Sequence, residues 1–300
     1  GLSTRECEAA IAEVRAITDR PFAVGCSLAL PGARECVDVA LDAQVPVLNI
    51  SMGKGDWVIE RAHAYGGKVI ATVSNEKHAR AAIDSGVDGL IVTGHEAAAH
   101  GGRVTSMVLI PAVRDLCDLP IIAAGGVADG RGLVAALSLG ADAVAMGTRF
   151  ATSLESPLHE GTKQLVVAQE AEATIYSKNF DTFPCRVMNT PGGRKYTARP
   201  LSPPVALTRS IQAALEMDRP LTDMARDALS QGAMQAVKIA YFGAATLAMR
   251  KAMHEGNHED GVQLIGQSQG LVHDVLSVDD IIHRVMSQAR DVIRNVSGCV

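Results

Sequence analysis

Six short apolar runs, Phe22–Ser27, Val45–Ile50, Val69–Val73, Gly89–Val92, Ile121–Ala124 and Ala143–Met146, punctuate the first half of the chain. None alternates apolar and polar residues, so the pattern predicts strands covered on both faces, as in a parallel sheet. Between them lie Gly32–Ala43, Glu76–Ser85, Val108–Cys117 and Gly130–Leu139, with apolar residues at helical spacing and Gly or Asp-x-Pro punctuation. Strand starts recur roughly every 20–30 residues, the length of one βα unit.

Six consecutive βα units fit a doubly wound open sheet or an α/β barrel of the TIM-type (β/α)8 kind. Uniform repetition without a mid-chain break favours the barrel. Glycines after the last two runs agree with it, because the loops after strands seven and eight of such barrels often hold a phosphate. Counting Ile121–Ala124 as strand seven leaves the first two strands missing from this chain. Ser3 and Glu6 form a capping-box signature, so the chain opens at a helix.

After the barrel-like region the pattern changes. Lys178–Pro204 is rich in Pro, Gly, Asn and Arg and reads as an extended excursion. Leu221–His254 reads as helical, broken near Gly243; Glu255–Asp260 is a polar turn; and Ser277–Val296 is a final helix with Ser277 as N-cap and Asp280 at N3. The expected organisation is a barrel core at 1–175, an extended segment plus helical cap at 176–262, and a C-terminal helical segment at 263–300 that returns to the barrel.

Composition narrows the class. Over 300 residues, 47% are hydrophobic and 20% charged, which excludes a disordered chain. Aromatics are only 3%, so the core must rest on Ala, Val, Leu and Ile. A net charge of −5 argues against nucleic acid as partner. No apolar run approaches the ~18 residues of a membrane span, and no signal peptide is visible, so the expected setting is cytoplasmic, away from membranes. The six cysteines contain no C-x-x-C pair and read as separate thiols.

Three loops carry candidate chemistry. Ala124-Gly125-Gly126 runs from a strand into paired glycines and a helix, where backbone N–H groups can approach an anion. Gly147-Thr148 repeats that arrangement one unit later; neither loop matches a P-loop. The third, Thr93–Gly102, holds His95, Glu96 and His100. Metal binding there is disfavoured, because the histidines do not follow H-E-x-x-H spacing. A proton-transfer role for His100 fits better, since imidazole titrates near neutrality.

These stretches resemble the nitronate monooxygenase (2-nitropropane dioxygenase) family of FMN-dependent barrels. The similar segments are PFAVGCS at 21–27, KVIATVSN at 68–75, VTGHEAAAHGG at 92–102, PIIAAGGVADGRGLVAALSLGADAVAMGTRF at 120–150 and GQSQGLVHD at 266–274. The resemblance implies FMN held by the backbone around Ala124, Gly125 and Gly126 and, at its phosphate, by Gly147 and Thr148. It places Ser27, Thr72 and Ala98 against the flavin and makes His100 the substrate-side base. Ala98 and Ala99 stand where the family has glycines, VLNISMG at 47–53 lacks a family histidine, and Thr72 replaces the Lys of quinone-reducing relatives. The implied activity is oxidation of small alkyl nitronates by O2. The alternatives are an NAD(P)H-dependent quinone or enoyl-thioester reductase and an inactive flavin-binding protein. A small-molecule substrate is expected in any enzymatic case, and a homo-oligomer is compatible with each.

Overall fold

The computed structural model describes residues 3–30, 32–216 and 233–298. Six strands form one parallel sheet in sequential order: β1 (Ala23–Ser27), β2 (Val47–Ser51), β3 (Lys68–Val73), β4 (Gly89–Thr93), β5 (Ile121–Ala124) and β6 (Ala143–Ala145). The sheet is a partial barrel whose edges, among the described residues, are β1 and β6. Helices α1 (Thr4–Ile17), α2 (Ala33–Asp42), α3 (Asp56–Ala64), α4 (Glu76–Asp84), α5 (Ser106–Arg114), α6 (Gly130–Ser138) and the short α7 (Gly147–Ala151) alternate with the strands. Local caps fix their starts. Ser3 and Glu6 close the capping box of α1, Asn75 accepts the His78 N–H for α4, and Asp129 accepts those of Arg131 and Gly132 for α6.

The expectation that both strand faces are covered needs correction. Leu48, Ile50, Val69, Ala71, Val73, Leu90, Val92, Ile121 and Ala123 are buried in one aliphatic core with the helices. Their alternate neighbours Asn49, Ser51, Ile70, Thr72, Ile91, Thr93, Ile122 and Ala124 are only half-buried. Strand side chains alternate between faces. Six strands that do not close leave the axial face without the opposing side chains that would fill a full barrel. That face carries Ser, Asn and Thr among its aliphatic residues.

Beyond the barrel, α8 (Glu160–Val167) leads to an antiparallel pair, β7 (Thr174–Ser177) and β8 (Cys185–Met188). Helix α9 (Pro191–Ala198) follows, then α10 (Pro203–Glu216), α11 (Ala233–Glu255), a 3-10 turn at Gln267–Leu271 and α12 (Val278–Ser297). About half of the excursion expected at Lys178–Pro204 is therefore regular structure. Thr190 caps α9 and Pro191 occupies its first turn, where the missing N–H has no consequence. Gly192 and Gly193 serve close packing: an added Cβ would lie 2.1 Å from the Gly261 carbonyl and 2.2 Å from that of Met188. Gly243 likewise does not break α11. It marks a close approach to α10, where a Cβ would stand 2.2 Å from Ser210 Oγ. The part of the expected helix at 221–232 lies outside the described residues.

Helix α12 begins at Ser277, which accepts the Asp280 N–H as its sequence indicates. It docks on the start of α6, where a Cβ on Gly130 would fall 2.4 Å from Ala289 N and 2.5 Å from Val285 O. Among the described residues no cysteine forms a disulfide. No helix among the described residues is long and apolar enough to cross a membrane.

A histidine at the cap junction makes stability depend on pH. Thr162 Oγ1 donates to the Ala252 carbonyl, so at 2.9 Å it must accept from His258 Nε2–H. His258 Nδ1 is buried without a partner among the described residues. Burial first, and His159 second, push the His258 pKa below its ordinary value of 6.5. The unfolded chain then binds the proton more readily than the folded one. Stability is expected to be fully present above about pH 6.5 and to fall as pH drops through the folded-state value. Unfolding free energy measured between pH 8 and 5 should show this slope, and His258→Gln should flatten it; an unchanged slope in the variant would contradict the assignment.

Candidate active site

The C-terminal strand ends form one rim. Parallel register sets Ser27 beside Ser51, Thr93 beside Ala124, and Ala124 beside Ala145. Polar groups on the axial face pair with each other: Ser27 Oγ and Ser51 Oγ lie 3.0 Å apart, and Thr72 Oγ1 donates to Asn49 Oδ1 at 2.9 Å. Ser27 and Thr72, both expected at the site, thus share one open face with Asn49. The signal for Asn49 was in the sequence, as a polar residue inside an apolar run.

The Gly125–Gly126 turn has φ of +93° and +81°, a backbone region that glycine enters without strain. It is braced by the neighbouring loop. Ser106 Oγ lies 3.0 Å from both Gly125 O and Glu96 Oε2, and the Glu96 carboxylate accepts the Ser106 N–H. Gly147 opens α7 with free space in front of it, since an added Cβ would meet nothing within 4 Å. Gly25, on β1, faces similar space. Thr148 is buried and its hydroxyl accepts the Gly266 N–H at 3.1 Å, which leaves its O–H and its backbone N–H as donors toward an anion. Ala98 packs at the same junction, its N 3.1 Å from where a Gly266 Cβ would stand. The chain therefore offers glycine-lined turns, a helix start and an open polar face, an arrangement that fits a phosphate attached to a flat ring system.

The histidine loop divides its two imidazoles. His95 Nδ1 donates to the Gly102 carbonyl at 2.9 Å, and the ring meets Tyr176 edge-on at 4.6 Å. Glu96 is engaged by Ser106. Neither therefore joins His100 in a metal cluster. His100 turns to the cap, its Nε2 2.7 Å from Asp181 Oδ2. The Asp181 side chain is 5% exposed and that of His100 27%. Asp181 Oδ1 also accepts the Phe183 N–H, and Phe183 and Phe242 flank the imidazole. With Nε2–H donating to the carboxylate, Nδ1 is the nitrogen left for a substrate proton.

Asp181 lies 81 residues from His100, and no local pattern announced it. Arg186 was missed in the same way. This buried guanidinium has no carboxylate partner among the described residues; it donates to the His95 carbonyl through Nε and Nη2 and to Thr174 Oγ1 through Nη1. Its backbone makes a two-way bridge with Ala99, at 3.1 and 2.8 Å. The bridge holds Ala99 at φ +53°, in the left-handed region. A non-glycine residue costs roughly 1–2 kcal/mol there, while added glycine freedom in the unfolded chain returns about 0.4–1 kcal/mol of that. Ala99→Gly is thus expected to raise Tm by about 1–4 °C; calorimetry showing a lower Tm would mean the Ala99 methyl packs better than its backbone is strained.

On the far side of α7, Arg149 is buried against Asp274, donating to its carboxylate at 2.9 Å and its carbonyl at 2.7 Å. Burial opposes the charged form of Asp274, but donors from Arg284 and Arg149 outweigh it and hold the carboxyl below its usual range.

Comparison with known proteins places this geometry. The sequence pattern described as nitronate monooxygenase matches residues 28–288. A (3aS,4S,5R,7aS)-5-hydroxy-7a-methyl-1-oxo-octahydro-1H-indene-4-carboxyl-CoA dehydrogenase of Rhodococcus jostii is 32% identical over 95% of this chain and 82% of its own length. A probable nitronate monooxygenase of Staphylococcus aureus is 33% identical over 48% of this chain and 44% of its own. Among solved structures, FabK from Thermotoga maritima superposes with a TM-score of 0.81 at 31% identity, covering 100% of this chain and 86% of its own.

Proposed function

We propose, from the premise that this chain belongs to the nitronate monooxygenase family of flavin-dependent oxidoreductases, that it binds FMN and oxidises or reduces an acyl thioester. The observation that carries the reading is the His100–Asp181 pair, with His100 on the loop that follows the C-terminal end of β4. When bound, the flavin supplies the two-electron exchange. The residues suited to hold it are the backbone of Ala124, Gly125, Gly126, Gly147 and Thr148 at the phosphate, with Ser27, Thr72 and Ala98 toward the ring.

The chain's own part is proton handling and orientation. Asp181 holds the imidazole by its Nε2–H and stabilises it when it becomes charged. Nδ1 then takes or returns the proton on the carbon beside the thioester carbonyl, where a positioned base is effective. Phe183 and Phe242 keep water from the ring's flanks. A thioester is favoured because the Rhodococcus relative, named for a carboxyl-CoA substrate, matches nearly the whole chain. NAD(P)H is the redox partner in the reducing direction. Nitronate oxidation with O2, the leading expectation from sequence, is the second reading. It rests on the family description and on the shorter Staphylococcus match.

The test is anaerobic flavin bleaching. FMN-loaded protein is mixed separately with NADPH, an acyl-CoA and an alkyl nitronate. Bleaching by NADPH or the acyl-CoA supports the first reading. Bleaching by the nitronate alone reverses the order of the two, and bleaching by none overturns both.

A further inference from the structure

A ring nitrogen of His100, a carboxylate oxygen of Asp181 and Sγ of Cys185 all lie within 4.8 Å of one another, and Nε2 is the ring nitrogen that faces Asp181. Among the described residues, no other trio of His, Cys, Asp or Glu side chains meets in this way. Cys185 is fully buried on β8 and Asp181 nearly so, so this is not a chance gathering of exposed acids. We propose that this trio binds Zn2+ or a similarly soft divalent cation, and that the bound ion blocks His100.

The donor set selects the ion. Imidazole, carboxylate and thiolate together suit zinc, whereas the thiolate disfavours magnesium and calcium. Zinc bonds of about 2.0–2.3 Å put tetrahedral ligand atoms roughly 3.3–3.7 Å apart. The trio needs shifts of about an ångström or less to reach that spacing. The His100–Asp181 contact, now 2.7 Å, has to open, and the ion takes over its electrostatic role. Charge also balances: one divalent ion, one carboxylate and one thiolate sum to zero, so no net charge is left in the buried pocket. Three protein ligands leave a fourth position, which the solvent-exposed edge of His100 makes reachable.

The protons can be followed. Burial, and then the Asp181 charge, push the Cys185 thiol well up, so the empty site keeps its S–H. The ion displaces that proton to solvent. Zinc on Nε2 also requires that nitrogen's proton to leave. In a neutral imidazole it moves to Nδ1, and one proton is released overall; in an imidazolium it is lost, and two are released. Either way Nδ1 carries a hydrogen and no longer accepts one. The ion therefore switches off the base that the proposed function assigns. Binding itself does not depend on that assignment.

The experiment uses metal-stripped, flavin-loaded protein titrated with ZnCl2 by calorimetry in two buffers of different ionisation enthalpy. In parallel, Co2+ is added and the thiolate-to-cobalt absorption recorded as a difference spectrum. The expected result is one ion per chain, release of one to two protons, and a thiolate band that zinc abolishes. Changing residues that only support metal ligands costs about 10–100-fold in affinity, so loss of the ligand itself in Cys185→Ala should cost at least that much. Zinc inhibition, normalised to each variant's own metal-free rate, should weaken in parallel. Cys185→Ser serves if the alanine variant does not fold, and the cobalt band on the unaltered protein requires no variant. No stoichiometric site, no thiolate band, or equal affinity in the cysteine variants overturns the proposal. Should zinc bind as expected while His100→Gln keeps full turnover, the site stands and the catalytic assignment falls.

Discussion

Turnover of a substrate that must lose a proton is expected to fall about 10²–10⁴-fold when His100 is replaced, the usual contribution of a positioned general base. The choice of replacement matters. Alanine leaves a buried Asp181 carboxylate without its side-chain donor, which costs roughly 1–3 kcal/mol. The hydrogen bond to nearly buried Asp181 thus makes His100 count for stability as well as for chemistry. His100→Gln keeps a donor within reach of Asp181 but offers no base of suitable strength, so it separates chemistry from folding. Asp181→Asn should produce a smaller loss, about 10²-fold, because the imidazole remains but loses its orienting anion. Both variants should retain flavin and affect kcat more than KM. A preformed nitronate, needing no deprotonation, should be less affected than its neutral nitroalkane. His95→Ala should leave proton transfer in place, since that ring is committed to Gly102 and Tyr176. Steady-state kinetics on both substrate forms decide the matter; an inactive His95→Ala beside an active His100→Gln would reverse the assignment.

Flavin should be lost outright from Gly147→Asp. The space before Gly147 accepts a side chain without collision, and an aspartate in the first turn of a helix is itself favourable. The variant should therefore fold with little change in Tm. Its carboxylate would stand where the phosphate is assigned. At about 4 Å and an effective dielectric near 20, each pair of unit charges repels by roughly 4 kcal/mol, or about three orders of magnitude in affinity. Gly126→Ala is a poorer probe. Its φ of +81° strains any side chain whatever the space around it, so lost flavin could not be told from altered folding. The ratio of flavin to protein absorbance after gel filtration is the measurement. A Gly147→Asp protein with a full complement of FMN would mean that the phosphate sits elsewhere.

The six strands could be read from the chain to within about two residues, because buried parallel strands are short, apolar and bounded by glycine. Caps were equally readable: Ser3 and Ser277 act through residues three positions away. What escaped depended on tertiary contact. Pro191, Gly192 and Gly193 look like a loop until Gly261 and Met188 are placed against them. The apolar runs concealed a period of two, because aliphatic residues occupy the axial face as well as the covered one. His100 could be picked out by its setting among small residues, yet its partner Asp181 could not, since a single acid in a polar segment carries no local signature.

The link between Arg186 and the histidine loop also sets an order of assembly. Its guanidinium reaches the His95 carbonyl across 91 residues of sequence. During synthesis at roughly 5–20 residues per second, that separation corresponds to about 5–20 s. Over that interval the barrel strands can pair while the His95–His100 segment has neither its tether nor the carboxylate that orients His100. On the ribosome the braced His95–His100 loop and its contact with Asp181 thus form late, timed by the emergence of β8 rather than by completion of the parallel sheet.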